Sequence, residues 1–263
     1  ALESEKFDFP FRIILSGSSQ SGKTHFAREL LKNDLFEESV KSVRYCHPDY
    51  LSTRPVAWHD ELSVPVCYQS NIPTVDELCA LEPNTCIVLD DLYEECIKSK
   101  AVDYLFRVLS GKRKISVIIM TQRYFSNGKY GMNIRNQCNY IGLLRNVDAR
   151  LNERLATQLN MTVPIKSAIK DSFNTSFWPY VFIDASPRGQ VTGVQVYTDI
   201  FSRYKSYFNS FGMKSYILTE KDFRDYFEII SKSTACFKNE LESSTLTKSP
   251  SANRTEQQDT GAS

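Results

Sequence analysis

With 263 residues, a formal charge of +1, and 41% hydrophobic and 12% aromatic residues, the chain can bury a substantial core and should fold without disulfide or metal staples. The near-neutral balance excludes a globally basic nucleic-acid binder, so any DNA contact must come from a local patch. Length alone leaves one or two domains open, and one α/β domain followed by a tail fits it best.

In chain order, residues 1–10 are charged, lack the apolar centre of a signal peptide and read as a lead-in. The chain starts at Ala1 rather than Met, which leaves upstream material open. From Phe11 onward short apolar runs alternate with amphipathic stretches, the pattern of a mostly parallel sheet covered by helices on both faces. Strands are predicted at 12–16, 42–46, 64–68, 86–90, 115–121, 140–144, 180–184 and 194–198, all rich in Ile, Val, Leu and Tyr. Helices are predicted at 23–33, 75–81, 101–109, 148–159 and 220–231, each with apolar residues three and four apart. The stripes Val102, Leu105, Phe106, Leu109 and Phe223, Phe227, Ile230 are what any sheet-covering helix needs, so they are assigned to packing.

After Phe237 the composition turns to Ser, Thr, Asn, Gln and charged residues. Burial there cannot offset ordering entropy, so 233–263 is expected to be disordered and 11–232 to form the domain. The seven cysteines are scattered with no close pair. Several lie in apolar strand-like runs, where a thiol acts as a small hydrophobe, which favours a reducing intracellular compartment over a zinc or disulfide framework. No apolar run reaches membrane-spanning length, so no membrane partner is expected.

The segment Gly17-Ser18-Ser19-Gln20-Ser21-Gly22-Lys23-Thr24 fits G-x-x-x-x-G-K-[ST] between a predicted strand and a predicted helix, the context a phosphate-binding loop requires. Backbone N–H groups converge on phosphate oxygens only if the loop turns tightly, which Gly17 and Gly22 permit. Lys23 should reach the β and γ phosphates of ATP, Thr24 should ligate Mg²⁺, and the helix start should face the anion. Downstream, Cys86 to Asp91 is an apolar run ending in two carboxylates, as a central strand delivering acids to the ligand edge of a sheet would be. Asp90 is expected to hold the Mg²⁺ and Asp91 to orient or deprotonate the attacking water, while Gln122, closing the next strand, is placed to sense the γ-phosphate. His47 and His59 with Asp49 and Asp60 are too irregularly spaced to be assigned to a metal.

Together with the phosphate loop, Val88-Leu89-Asp90-Asp91-Leu92 and the strand Ile115 to Thr121 closed by Gln122 resemble the DNA-packaging ATPases of the poxvirus and Polinton (Maverick) type, within the HerA/FtsK lineage. The resemblance runs to about Phe201, through Asn139 to Asn146, Arg154 to Leu159 and Pro179 to Asp184. Where that family carries a basic or His-rich turn before the sensor strand, this chain has Gly111-Lys112-Arg113-Lys114. The resemblance implies a RecA/ASCE-like P-loop NTPase that forms a homo-oligomeric ring, translocates double-stranded DNA into a capsid or procapsid, and works inside a host cell or on a virion. It also implies an arginine donated by the adjacent subunit, for which Arg113, Arg123, Arg135 and Arg145 are candidates. The basic cluster Lys112 to Lys114 and the loop Arg123 to Arg135, with Tyr124, Lys129 and Tyr130, could meet DNA phosphates or solvent. Two other classes stay open: a small-molecule or nucleotide kinase using the same loop, and a domesticated nucleotide-regulated binding protein. The paired Asp90 and Asp91 and the amide of Gln122 favour hydrolysis.

Overall fold

Alternation of buried side chains along each strand sorts the core into two halves, one on either face of a single sheet. Along β1 (Arg12–Ser16), Ile13 and Leu15 join one apolar cluster and Ile14 the other. The same two-residue period divides β4 (Thr85–Leu89) and β5 (Ser116–Thr121): Val88, Ile118 and Met120 face one way, Ile87, Leu89, Val117 and Ile119 the other. Strands buried on both faces read as unbroken apolar runs, which is why these segments stand out in the sequence. The computed structural model describes residues 6–33, 35–49, 58–145, 149–175, 179–186, 195–201, 206–208 and 214–216, all within one unit, Ser4–Ile217. The expected helix at 220–231 and the tail at 233–263 lie outside the described residues.

The remaining strands are β2 (Ser42–Cys46), β3 (Val66–Gln69), β6 (Tyr140–Leu144), β7 (Tyr180–Asp184), β8 (Gln195–Asp199), β9 (Ser206–Phe208) and β10 (Lys214–Tyr216). Their order across the sheet is β10-β9-β8-β7-β6-β1-β5-β4-β2-β3. The six strands from β6 to β3 run parallel, and β7 to β10 extend the β6 side as antiparallel neighbours. The eight predicted strands are present with ends shifted by up to two residues, and β9 and β10 are additions at the antiparallel end.

Helix α1 (Lys23–Lys32) covers one face through Phe26, Ala27 and Leu30. That face also takes up Phe7, whose ring lies 5.4 Å from Tyr140 and 5.2 Å from Phe182, so the lead-in contributes to the core. The opposite face is covered by α3 (Val75–Cys79), α4 (Tyr93–Cys96), α7 (Gly131–Gln137), α8 (Ala149–Gln158) and α9 (Thr162–Thr175), with α2 (Trp58–Glu61) packing on the α1 side. Expected as one α-helix, 101–109 instead changes winding: α5 (Lys100–Tyr104) passes into a π-helical turn over Leu105–Leu109 and returns to α in α6 (Ser110–Arg113). Val102, Leu105, Phe106 and Leu109 are buried throughout, so the packing stripe survives the change.

The six described cysteines are free thiols. Burial pushes the Cys46 thiol up to about 12, in line with a protonated hydrophobe. Among the described residues no helix is long and apolar enough to cross a membrane.

Candidate functional site

The parallel strands all end on one side of the sheet, and there the loop after β1 meets the ends of β2, β4 and β5. Residues 17–24 are pinned to both neighbours of β1. The Gly17 N–H donates to the Thr121 carbonyl at the end of β5 (3.1 Å), and both the N–H and hydroxyl of Ser18 donate to the Arg145 carbonyl just past β6 (3.2 and 2.8 Å). Two left-handed residues bend the loop, Gln20 (φ 60°) and Gly22 (φ 91°). No room exists for a methyl group at position 17, where a Cβ would stand 2.5 Å from Ser21 Oγ and 3.0 Å from Leu144 Cβ. Ser21 Oγ is itself buried with no hydrogen-bond partner among the described residues. Helix α1 starts from Gly22 with neither a side-chain cap nor an acidic residue in its first turn, leaving its positive end open to an anion.

Within this cradle the Lys23 ammonium donates to the carbonyls of Gly17 (2.9 Å) and Ser18 (2.8 Å). Burial lowers its pKa, and Asp90 and Asp91 pull it partly back up. Thr24 Oγ1 donates to Asp90 Oδ2 at 3.2 Å, so a loop on β1 and a carboxylate after β4 meet across 66 residues of sequence. The same oxygen accepts from the phenol of Tyr45 at 2.5 Å, and the Asp90 N–H is tied to the Cys46 carbonyl at 2.9 Å. Asp91 follows in the left-handed region (φ 55°) and is exposed. An acid held in that conformation is uncommon, and such outliers collect where function requires them.

These groups line one cleft of about 400 Å³, walled by Gln20, Lys23, Thr24, Asp90, Asp91 and Gln122 among others. Ser19 and Gly22 line it too, whereas Gly17, Ser18 and Ser21 form the loop behind it. His47 stands on the same wall, its ring parallel to that of Tyr45 with centroids 6.4 Å apart. Nothing in the local sequence marks Tyr45 or His47 for the site. Both sit at the end of β2, and only the strand order, with β2 beside β4, brings them to the site. Among the described residues no group of three or more His, Cys, Asp or Glu could hold a metal. Thr24 and Asp90 nonetheless suit magnesium, which keeps several waters and takes one or two protein oxygens beside those of a phosphate.

A larger cavity of about 880 Å³ adjoins the cleft, and Gln122 borders both. Arg123, Arg150, Arg154, Tyr124 and Phe125 line it, with Glu94 as its carboxylate. The Arg154 guanidinium lies 4.2 Å from the centre of the Phe125 ring. Arg135 braces this loop from beneath, donating to the carbonyls of Tyr124 (3.4 Å) and Ser126 (3.3 Å). Arg113 is likewise engaged inside the subunit, bonding the carbonyls of Cys79 and, at 3.0 Å, Leu81. Of the four arginines considered for a partner's site, Arg123 and Arg145 are the exposed ones.

A parallel sheet, a glycine-bent loop between β1 and α1, and β5 interposed between the loop strand and the acidic strand define an α/β fold of the P-loop NTPase class, in its RecA/ASCE-like arrangement. The fold is similar to that of the genome packaging NTPase B204 from Sulfolobus turreted icosahedral virus 2. Against its complex with ATP-γS the TM-score is 0.46 at 14% identity, covering 71% of this chain and 96% of that one. Against its sulfate complex the TM-score is 0.45 at 13% identity, covering 71% and 95%. Similarity to EccC (ATPases 2 and 3) of Thermomonospora curvata is lower, with a TM-score of 0.33 at 12% identity over 50% of this chain and 29% of that one. No protein-family model matches the chain, and no curated protein matches it in sequence.

Proposed function

We propose that this protein is a magnesium-dependent ATPase that moves double-stranded DNA, acting as a homo-oligomeric ring that packages a viral genome into a capsid. The observation that carries the ATPase part is the 3.2 Å contact between Thr24 and Asp90 in the cleft that also holds Lys23, Asp91 and Gln122. The loop N–H groups and Lys23 bind and orient the triphosphate. Thr24 and Asp90 would hold a magnesium ion, which would supply positive charge against the phosphate oxygens. Asp91, exposed beside Asp90, takes the proton of the attacking water, and Gln122 orients that water by hydrogen bonding. Arg123 or Arg145 of a neighbouring subunit supplies the remaining positive charge.

The DNA part rests on the motif resemblance and on the arginine-lined cavity that shares Gln122 with the phosphate cleft. Guanidinium groups there meet backbone phosphates without reading sequence, as a motor acting on any genome segment requires. Gln122 then belongs to both sites, so the state of the nucleotide and the grip on DNA are felt by one side chain. Phosphate release from ATP, measured with and without duplex DNA, tests both parts. Stimulation by DNA of any sequence is expected. Hydrolysis indifferent to DNA would remove the motor, and transfer of the phosphoryl group to a small acceptor would make the protein a kinase.

A further inference from the structure

Tyr45 is buried in β2 at 1% exposure, among Trp58 (ring centroids 4.9 Å) and Tyr68 (5.8 Å). A phenylalanine would fill that space equally well, so packing explains the ring and leaves the hydroxyl unexplained. A buried hydroxyl needs a partner. This one donates a hydrogen bond to Asp90 Oδ2 at 2.5 Å, the short end of the range for a hydroxyl bonding a carboxylate. Register accounts for the meeting. Tyr45 pairs with Val88 across the parallel β2 and β4 strands, and Asp90, two residues beyond Val88, falls on the same face of the sheet. That face is the one α1 covers, so Thr24 arrives from above and Tyr45 from the side on a single oxygen.

The consequence for Asp90 is a carboxylate fixed at three points: its own N–H on the Cys46 carbonyl, and Oδ2 between two hydroxyl donors. Among the described residues, no donor occupies Oδ1. With Oδ2 shared by two donors, Oδ1 is the carboxylate oxygen left available to a cation or its water shell. Resting on the reading that Thr24 and Asp90 hold magnesium, we infer that Tyr45 is the positioning residue for that ion: its hydroxyl aims Asp90, and so sets the affinity of the site for the divalent cation and not for the nucleotide. Burial, and after it the adjacent Asp90, raise the phenol's pKa, in keeping with its part as the donor.

Groups that hold a metal ligand in place, when removed, typically weaken metal affinity about 10- to 100-fold. Tyr45→Phe keeps the ring and deletes only the donor. Binding of a fluorescent ATP analogue is followed as Mg²⁺ is titrated in, binding of Mn²⁺ is read directly by electron paramagnetic resonance, and nucleotide affinity is measured separately in EDTA. The expected result is a rise of about 10- to 100-fold in the half-saturating Mg²⁺ and in the Mn²⁺ dissociation constant, with metal-free nucleotide affinity unchanged. Tyr68→Phe removes a neighbouring phenol, bonded to His59 at 3.3 Å and not to Asp90, and should leave all three readings at the wild-type value. Metal affinity in Tyr45→Phe equal to wild type, or a loss shared equally with metal-free nucleotide binding, overturns the inference. Failure of the underlying assignment has a different signature: Asp90→Asn would then also leave Mn²⁺ binding unaltered.

Discussion

Adding one methyl group at the first residue of the loop, Gly17→Ala, is the perturbation for which the structure gives the clearest magnitude. The new Cβ would stand 2.5 Å from Ser21 Oγ and 3.0 Å from Leu144 Cβ. A serine hydroxyl can rotate away. The Cβ of Leu144 is fixed to β6, which is paired on both sides, so relief must come from residue 17. Moving residue 17 stretches its N–H bond to Thr121 and carries away the carbonyl that anchors Lys23. Overpacking of this kind costs about 1–3 kcal/mol. At about 2–4 °C per kcal/mol for a domain of this size, the melting temperature should fall by roughly 2–12 °C. Displacement of the Lys23 anchor should weaken metal-free ATP binding by about tenfold, equivalent to ~1.4 kcal/mol. Differential scanning fluorimetry and a fluorescent-nucleotide titration read the two effects. A melt and an affinity both at the wild-type value would show that the loop has slack and that its tight turn is not what shapes the site.

Arg113→Ala and Arg123→Ala should separate cleanly. The first strips two carbonyls of their donor and should lower the melting temperature, whereas the second should leave the melt alone and reduce DNA-stimulated phosphate release. In Arg154→Ala, the slope of log affinity for duplex DNA against log salt should become shallower by about one unit, and a slope like wild type would remove that guanidinium from the phosphate contacts. Glu38 is held below its ordinary carboxylate range chiefly by its hydrogen bond from Lys114, with Asn84 as a second donor. Its contribution to stability is therefore present above the unfolded carboxylate value and is lost as pH falls through the lower folded value. The melting-temperature difference between wild type and Glu38→Gln should shrink across that acid range, and a constant difference would refute the assignment.

The parallel half of the sheet and the phosphate loop are legible in the sequence because burial on both faces writes strands as continuous apolar runs, and because tight turning around a phosphate demands glycine at fixed spacing. What is not legible there has physical causes as well. The strands β9 and β10 are three residues each and owe their existence to antiparallel partners, not to a run of their own. The helices α2 and α4 are single turns, too short to display a period. Helix α9 runs fourteen residues but carries Pro164 near its start, which reads as a breaker although the first turn has no bond for its missing N–H to make. The π turn at Leu105–Leu109 changes winding without changing which side chains are apolar. For the site, Lys23, Thr24 and Asp90 follow from motif chemistry. Tyr45 and His47 do not, because nothing local records that β2 lies next to β4.

The phosphate loop is stitched at two points to different strands, Gly17 to the end of β5 and Ser18 to the residue after β6. It behaves as a short beam clamped at both supports. A torque that shears β6 against β5, applied through the antiparallel flank on one side or through the Gln122 loop on the other, must strain one clamp or the other. Load on either side of β1 therefore reaches the loop through a hydrogen bond and not through the chain alone.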